Sequence, residues 1–199
     1  MTNDMGTRLD QQIAFLNEAD KLKSTIRATE LCDNSRYENS AEHSWHLTLY
    51  AMVLADQAGP DVDITLVIKM LILHDLVEID AGDNPIFGDL DHAAIEAQEQ
   101  AAADRIFGLL PEDLRVSFRA IWDEFEAAES PSAQFAKSLD RFQPPMQNLQ
   151  SGGGSWIDFD VTEQQIHNRV GSKIAIGAPA LWDYAKARIA TFFAERSTK

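Results

Sequence analysis

Cysteine is almost absent: Cys32 stands alone, so no disulfide can form within the chain, which fits a reducing, cytoplasmic setting. Positive charge is also scarce, with 17 Lys and Arg against 32 Asp and Glu and a formal net charge of −15. Such a surface repels phosphate backbones and anionic bilayers, and no run of Lys or Arg opposes the field. Duplex nucleic acid and membrane surfaces are therefore excluded as expected partners, whereas a single nucleotide in a metal-lined pocket is not. Long hydrophobic runs are missing too. The stretch from Leu66 to Leu73 is interrupted by Lys69 and falls short of the roughly 20 apolar residues that a spanning helix needs. The first twenty residues lack a basic region followed by an apolar run, so no signal peptide is expected. Strand-like alternation and hairpin turns are scarce. The glycines at 152–154 lack the following Lys-Ser/Thr of a phosphate-binding loop.

What remains is helical periodicity. The 199 residues, 45% hydrophobic, suit one domain. Leu9, Ile13, Leu16, Ala19 and Leu22 draw one helical stripe. Ser40 reads as the N-cap of a helix running to about Ala58, which Gly59-Pro60 ends. Asp61 or Asp63 caps the next, through Val67, Met70, Leu71, His74 and Val77. A loop from Gly82 through Pro85 to about Gly88 leads to a helix over Leu90 to Leu110, with Pro111 in a first turn after it. Further helices are predicted near Glu112–Ala128, Pro131–Phe142 and Pro179–Glu195. Pro144-Pro145 should kink or stop the second of these, and Ser151 to Ser155 reads as a flexible connector. The expectation is a single all-α domain over residues 1–199, of about eight helices. Its core spans about 36–150, and C-terminal helices over about 160–199 pack on it. The four tryptophans, Trp45, Trp122, Trp156 and Trp182, read as core anchors.

Two of the five histidines sit where a histidine is expensive. His43 precedes Leu47, Ala51 and Leu54 at helical spacing, and His74 lies in line with Val67, Met70, Leu71 and Val77. Asp75 follows directly, and Glu78 stands one turn beyond His74. Carboxylates on a buried face need a partner or a cation. Asp140, between Leu139 and Phe142, adds another acid on a later helix. Mixed imidazole and carboxylate groups suit one divalent ion among Mn, Fe, Co, Ni and Zn, with Mg less natural. A core histidine that is merely hydrogen-bonded is the plainer alternative for either one alone. His46 reads as a helix-surface neighbour of the site. His-Asp-Leu-Val-Glu lacks the second histidine of the zinc-protease motif, which removes the main support for a peptidase.

The stretches Arg36-Tyr37-Glu38-Asn39-Ser40-Ala41-Glu42-His43, His74-Asp75-Leu76-Val77-Glu78 with Ala81-Gly82-Asp83, and Ser138-Leu139-Asp140-Arg141 resemble the H…HD…D signature of the HD-domain metal-dependent phosphohydrolases. The flanks look closer to the subgroup of 5′-deoxynucleotidases and their eukaryotic HD-domain relatives. The resemblance implies an all-α HD bundle in which His43, His74, Asp75 and Asp140 ligate the metal and Glu78 and Asp83 are the acids of catalysis. Arg27 and Arg36 are the expected phosphate contacts. That subgroup places an aromatic residue after its arginine, whereas Ala28 follows Arg27 here.

The expected function is metal-dependent removal of phosphate from a small phosphomonoester, above all a nucleoside or deoxynucleoside 5′-monophosphate. A homodimer is a family-level expectation. The alternatives are an HD-type metal- or nucleotide-binding regulatory domain without turnover, and a purely structural helical protein.

Overall fold

Asn39 begins the helix that carries the first histidine. Its side chain accepts from the backbone of Glu42, whose carboxylate reaches back to the Asn39 amide, forming a capping box. The structure, a computed structural model, describes residues 6–84, 86–87 and 91–197. Helix α1 spans Arg8–Ala19 and runs into a 3₁₀ turn, Asp20–Ser24. Two short strands follow, β1 Ile26–Glu30 and β2 Tyr37–Asn39, paired antiparallel with Ile26 opposite Asn39 and Glu30 opposite Tyr37. Helix α2 is Ser40–Val53, α3 Ile64–Leu73, α4 the single turn Glu78–Ala81, α5 His92–Phe107 and α6 Glu112–Ala127. Helix α7 covers Pro131–Gln150, followed by the short α8 Ser155–Asp158, α9 Glu163–Ile166 and α10 Ser172–Gly177, then α11 Pro179–Ser197.

The all-α expectation holds, with the β ribbon as its exception. Five residues against three bury little, so the ribbon carries no alternation to read. What it does is hang Arg27 and Glu38 beside α7. Among the described residues no helix is long and apolar enough to cross a membrane.

Two apolar clusters meet along one chain segment. Val67, Met70 and Leu71 of α3 pack with Leu47, Phe135 and Leu139 in one cluster. Leu73, Leu76 and Val77 join Ile106, Phe107 and Trp122 in the other. Between them α3 tightens into a 3₁₀ turn over His74–Val77, where the sequence pattern predicts an unbroken α-helix. The His74 carbonyl there accepts from the Trp122 indole at 3.1 Å.

Other boundaries also differ. Asn39, not Ser40, is the N-cap of α2, which ends at Val53 before a 3₁₀ turn at Ala55–Gln57. Asp63 is the cap of α3, and Pro111 is the N-cap of α6. Helix α7 runs through Pro144 and Pro145. Two missing N–H groups cost the helix about 3 kcal/mol or more each. Burial of Phe142, Gln143, Pro145, Gln147 and Asn148 along the same stretch outweighs that cost. The 151–155 connector is a packed turn: Gly154 has φ +41°, and a Cβ there would stand 2.6 Å from the Asn148 side-chain oxygen. Trp122 and Trp156 are buried and Trp182 packs half-buried against the core, but Trp45 is 59% exposed and stacks on His46 outside it. Pro85, Gly88 and Leu90, where the loop and the start of α5 were expected, lie outside the described residues.

Candidate metal centre

Helices α2, α3 and α7 pack on one another and bring their polar residues to one buried point. His43 comes from the second turn of α2, His74 and Asp75 from the turn after α3, and Asp140 from the middle of α7. All four are 9% exposed or less. His43 Nε2 lies 3.0 Å from Asp140 Oδ1, and His74 Nε2 lies 3.7 Å from the same oxygen and 2.9 Å from Asp75 Oδ1. One ligand atom from each of His43, His74 and Asp75 falls within 4.8 Å of the others.

The opposite ring nitrogens are held from behind. His74 Nδ1 donates to the Leu71 carbonyl at 2.9 Å, and His43 Nδ1 donates to Gln143 Oε1 at 3.1 Å. In the neutral rings each Nε2 is then a lone pair aimed at carboxylate oxygens, and His74 Nε2 has no hydrogen-bond partner. Lone pair against carboxylate is repulsive unless a proton or a metal cation stands between them. That is the donor set and orientation of a divalent-ion site.

Without a metal ion, a proton on His74 answers the same need for positive charge. Burial works against charge on His74, yet the carboxylates of Asp75 and Asp140 push its pKa up to about 10. Asp75, despite burial, is held down to about 2 by His74 and Arg27. Asp140 is held well below the usual carboxylate range against its burial, by Arg141, His43 and His74. Glu78 goes the other way: burial and the neighbouring Asp75 charge raise it well above its ordinary value.

Arg27 stands at the centre of the acids. Its Nη1 is 3.1 Å from Asp75 Oδ2, 3.4 Å from Asp83 Oδ1 and 3.6 Å from Glu78 Oε1. These carboxylates keep the guanidinium charged in spite of its burial. Glu78 also accepts from the Ser40 hydroxyl at 2.5 Å, and Asp83 accepts from the Ala28 amide at 3.4 Å. Gly82, at φ +74° where α4 ends, turns the chain so that Asp83 faces Arg27. The structure thus brings together His43, His74, Asp75, Glu78, Asp83, Asp140 and Arg27.

It does not bring Arg36 to them. That guanidinium is about half exposed and forks onto Glu42 at 2.6 and 2.8 Å, with a further bond to the Tyr37 carbonyl. The local ion pair prevails because Glu42 is already fixed by the capping box. Sequence reasoning missed Glu38, which is 1% exposed, accepts from Gln143 Nε2 at 3.2 Å and Gln147 Nε2 at 2.9 Å, and lies 3.4 Å from His43 Nδ1. A buried acid five residues before the histidine, with glutamines on α7, gives no local signal. His46 is half-buried, and its Nδ1 is 3.2 Å from Gln143 Nε2.

The cleft in front of these residues has a volume of about 670 Å³. A smaller hollow of about 90 Å³ adjoins it, lined by Arg27, Ala28, Phe87, Pro144, Trp156 and Phe159 among others.

The chain is similar to human 5′-deoxynucleotidase HDDC2, 28% identical over 136 residues, which is 68% of this chain and 65% of the relative, a little under two thirds of its length. The mouse protein of the same name is 28% identical over 153 residues, covering 74% of this chain and 75% of that one. A solved structure, a predicted metal-dependent phosphohydrolase from Magnetospirillum magnetotacticum MS-1, superposes with a TM-score of 0.87 at 43% identity, over 94% of this chain and 96% of that one. The HD domain family matches residues 19–182. With a match over most of its length, the chain belongs to the HD-domain family.

Proposed function

We propose that the protein is a metal-dependent phosphohydrolase that removes the phosphate of a nucleoside 5′-monophosphate, with 5′-deoxynucleotides among its substrates. The observation that carries this reading is the pair of imidazole Nε2 atoms aimed, with Asp75 and Asp140, at one buried point beside Arg27. His43, His74, Asp75 and Asp140 would hold one divalent ion. When bound, such an ion polarises a phosphate oxygen and lowers the pKa of a water. The names of the relatives support nucleotides as the substrate class.

The chain's own residues supply the rest. Arg27 offers a fixed positive charge to the phosphate and neutralises part of the acid cluster. Glu78, whose carboxyl holds a proton more readily than an ordinary glutamate, takes up the proton released as water attacks phosphorus. Ser40 orients that carboxyl through its hydroxyl. Asp83 holds Arg27 through the same Nη1 that faces Asp75 and Glu78. The sugar lies against the hollow beside Ala28. With a methyl group where the deoxynucleotidase subgroup has an aromatic wall, this hollow leaves room for a 2′-hydroxyl, so discrimination against ribonucleotides is weak. A homodimer and a cytoplasmic setting belong to the same proposal, and light scattering checks the first.

The test is initial-rate phosphate release from matched deoxy- and ribonucleoside 5′-monophosphates, with Mn, Co, Mg or Zn added to chelator-treated protein. Metal-dependent release with less than about a tenfold preference for the deoxy series is expected. Stoichiometric metal without turnover on any nucleotide would favour the binding-domain alternative.

A further inference from the structure

Glu38 of β2 stands behind two parts of the site at once. The ribbon pairs Ile26 with Asn39, so Arg27, just after the first, and Glu38, just before the second, are neighbours across the strands. Glu38 Oε1 takes the side-chain amides of Gln143 and Gln147. Its Oε2 is buried and, among the described residues, has no hydrogen-bond partner. That oxygen lies 3.4 Å from His43 Nδ1 and 3.7 Å from Arg27 Nε. Arg27 Nε is likewise buried without a partner. A buried donor and a buried acceptor, each unsatisfied, therefore face one another across a gap that a small turn of the guanidinium closes.

On its other side Arg27 is held by acids that the proposed reaction uses. Its Nη1 lies 3.1 Å from Asp75, 3.4 Å from Asp83 and 3.6 Å from Glu78. Asp75 is one of the four proposed ligands, and Glu78 is the carboxyl that takes up a proton. Engaging them weakens their pull on the guanidinium. Glu38 lines neither the cleft nor the hollow beside it, so its pull is the one that stays constant through a turnover. A carboxylate at Nε also sets the direction of the planar fork, and with it where the Nη nitrogens point.

We infer that Glu38 is a positioning residue shared by His43 and Arg27. One buried carboxylate oxygen aims the metal ligand and the phosphate-binding arginine together, so nucleotide affinity depends on Glu38 apart from its effect on the ion. The inference rests on the phosphohydrolase reading above and adds to it a group that touches neither ion nor nucleotide. Glu38→Gln exposes the dependence. The one oxygen left is claimed by the Gln143 and Gln147 amides, which turns an NH₂ toward His43 Nδ1 and Arg27 Nε, donor against donor.

Binding of deoxyadenosine 5′-monophosphate is measured by calorimetry at saturating Mn on Glu78→Gln protein, with product analysis confirming that the nucleotide stays intact. Adding Glu38→Gln should weaken the nucleotide fivefold or more although the ion site is full. In protein that also carries Arg27→Lys, which lacks the Nε–H, the same change should cost less than twofold. Unchanged affinity in the first comparison overturns the inference, and Glu38 then serves His43 alone. An equal loss in both backgrounds overturns it too, because the effect does not pass through Arg27. Where Glu38→Gln fails to fold, Gln147→Leu takes its place. Loss of one amide at Oε1 should weaken the nucleotide at least twofold, and only in the background that keeps Arg27; any other pattern overturns the inference. Turnover by the native protein is scored separately. Binding that follows the Arg27 dependence without phosphatase activity sinks the proposed function and leaves the role of Glu38 standing. Turnover with an affinity indifferent to Glu38 does the reverse, and no nucleotide binding at saturating Mn removes both.

Discussion

His43 and His74 present the same atom to the same point, but they are held there by opposite means. His74 is fixed by its own segment: the Leu71 carbonyl three residues back accepts from its Nδ1, and Oδ1 of the following Asp75 lies 2.9 Å from its Nε2. His43 is fixed from afar, by Gln143, which lies 100 residues on, and through it by Glu38 and Gln147. One half of the centre is built by the local helix geometry and comes into being when α3 and its 3₁₀ turn form. The other half exists only once β2, α2 and α7 have docked. The two halves should therefore respond differently to substitution, and Asp140, whose Oδ1 faces both rings, is where they join.

Removing the joint should have the largest effect. Asp140→Ala deletes the carboxylate common to both histidines, so bound metal should fall below a tenth of stoichiometry. Phosphatase activity should drop by about three orders of magnitude or more, equivalent to about 4 kcal/mol of transition-state stabilisation. Metal analysis of protein purified without a histidine tag reads the first number. Full metal retention in Asp140→Ala and in His43→Ala alike would remove the four residues as ligands.

A smaller loss is expected on the locally built side from Glu78→Gln. The amide keeps the volume and an oxygen for the Ser40 hydroxyl but cannot take a proton. Metal content should stay at the native level while kcat falls about 10²-fold, at the lower end of what a general base contributes. Activity restored by excess metal would instead make Glu78 a group that holds the ion site together.

On the remotely built side, Glu38→Gln should weaken metal binding by about 10- to 100-fold, the usual effect of removing the carboxylate behind a ligand histidine. Saturating metal should then bring kcat back to near the native value, the opposite of the Glu78 result. Chelator competition gives the affinity and a metal titration of the rate gives the rescue. Native affinity in Glu38→Gln would mean that Gln143 alone orients His43 and that the contrast between the two halves is slight.

The same contrast explains what could be read from the sequence. His74, Asp75 and Glu78 lie within one turn or so of each other, and a histidine and acids in line with Val67, Met70 and Leu71 announce a polar group on a buried face. Gly82 before Asp83 signals the turn that aims the acid. Glu38, Gln143 and Gln147 carry no such mark, because their meaning arises from contacts 105 and 109 residues long. The β1–β2 ribbon is too short to show a period, and Pro144-Pro145 ends a helix in isolation but not one packed along both sides of the prolines. Arg27 and Arg36 look equivalent as phosphate contacts in the sequence, and only the pairing of strands separates them.

That pair of arginines supplies the smallest expected effect. Arg36 sits at the outer rim of the remotely built half, about half exposed and forked onto Glu42. Glu42 keeps its bond to the Asn39 amide without it, so the cap that starts the His43 helix survives. An exposed ion pair of this kind contributes little, being weakened by solvent and salt. Arg36→Ala should accordingly shift the melting temperature by no more than about 2 °C. KM for the nucleotide should stay within about twofold of the native value, because the side chain does not line the metal cleft. Arg27→Ala, by contrast, strips the cation from between Asp75, Glu78 and Asp83, and should raise KM and lower kcat together. A tenfold rise in KM for Arg36→Ala would show that β2 moves its arginine over the cleft when substrate arrives, and the remote half would then bind substrate as well as orient the metal.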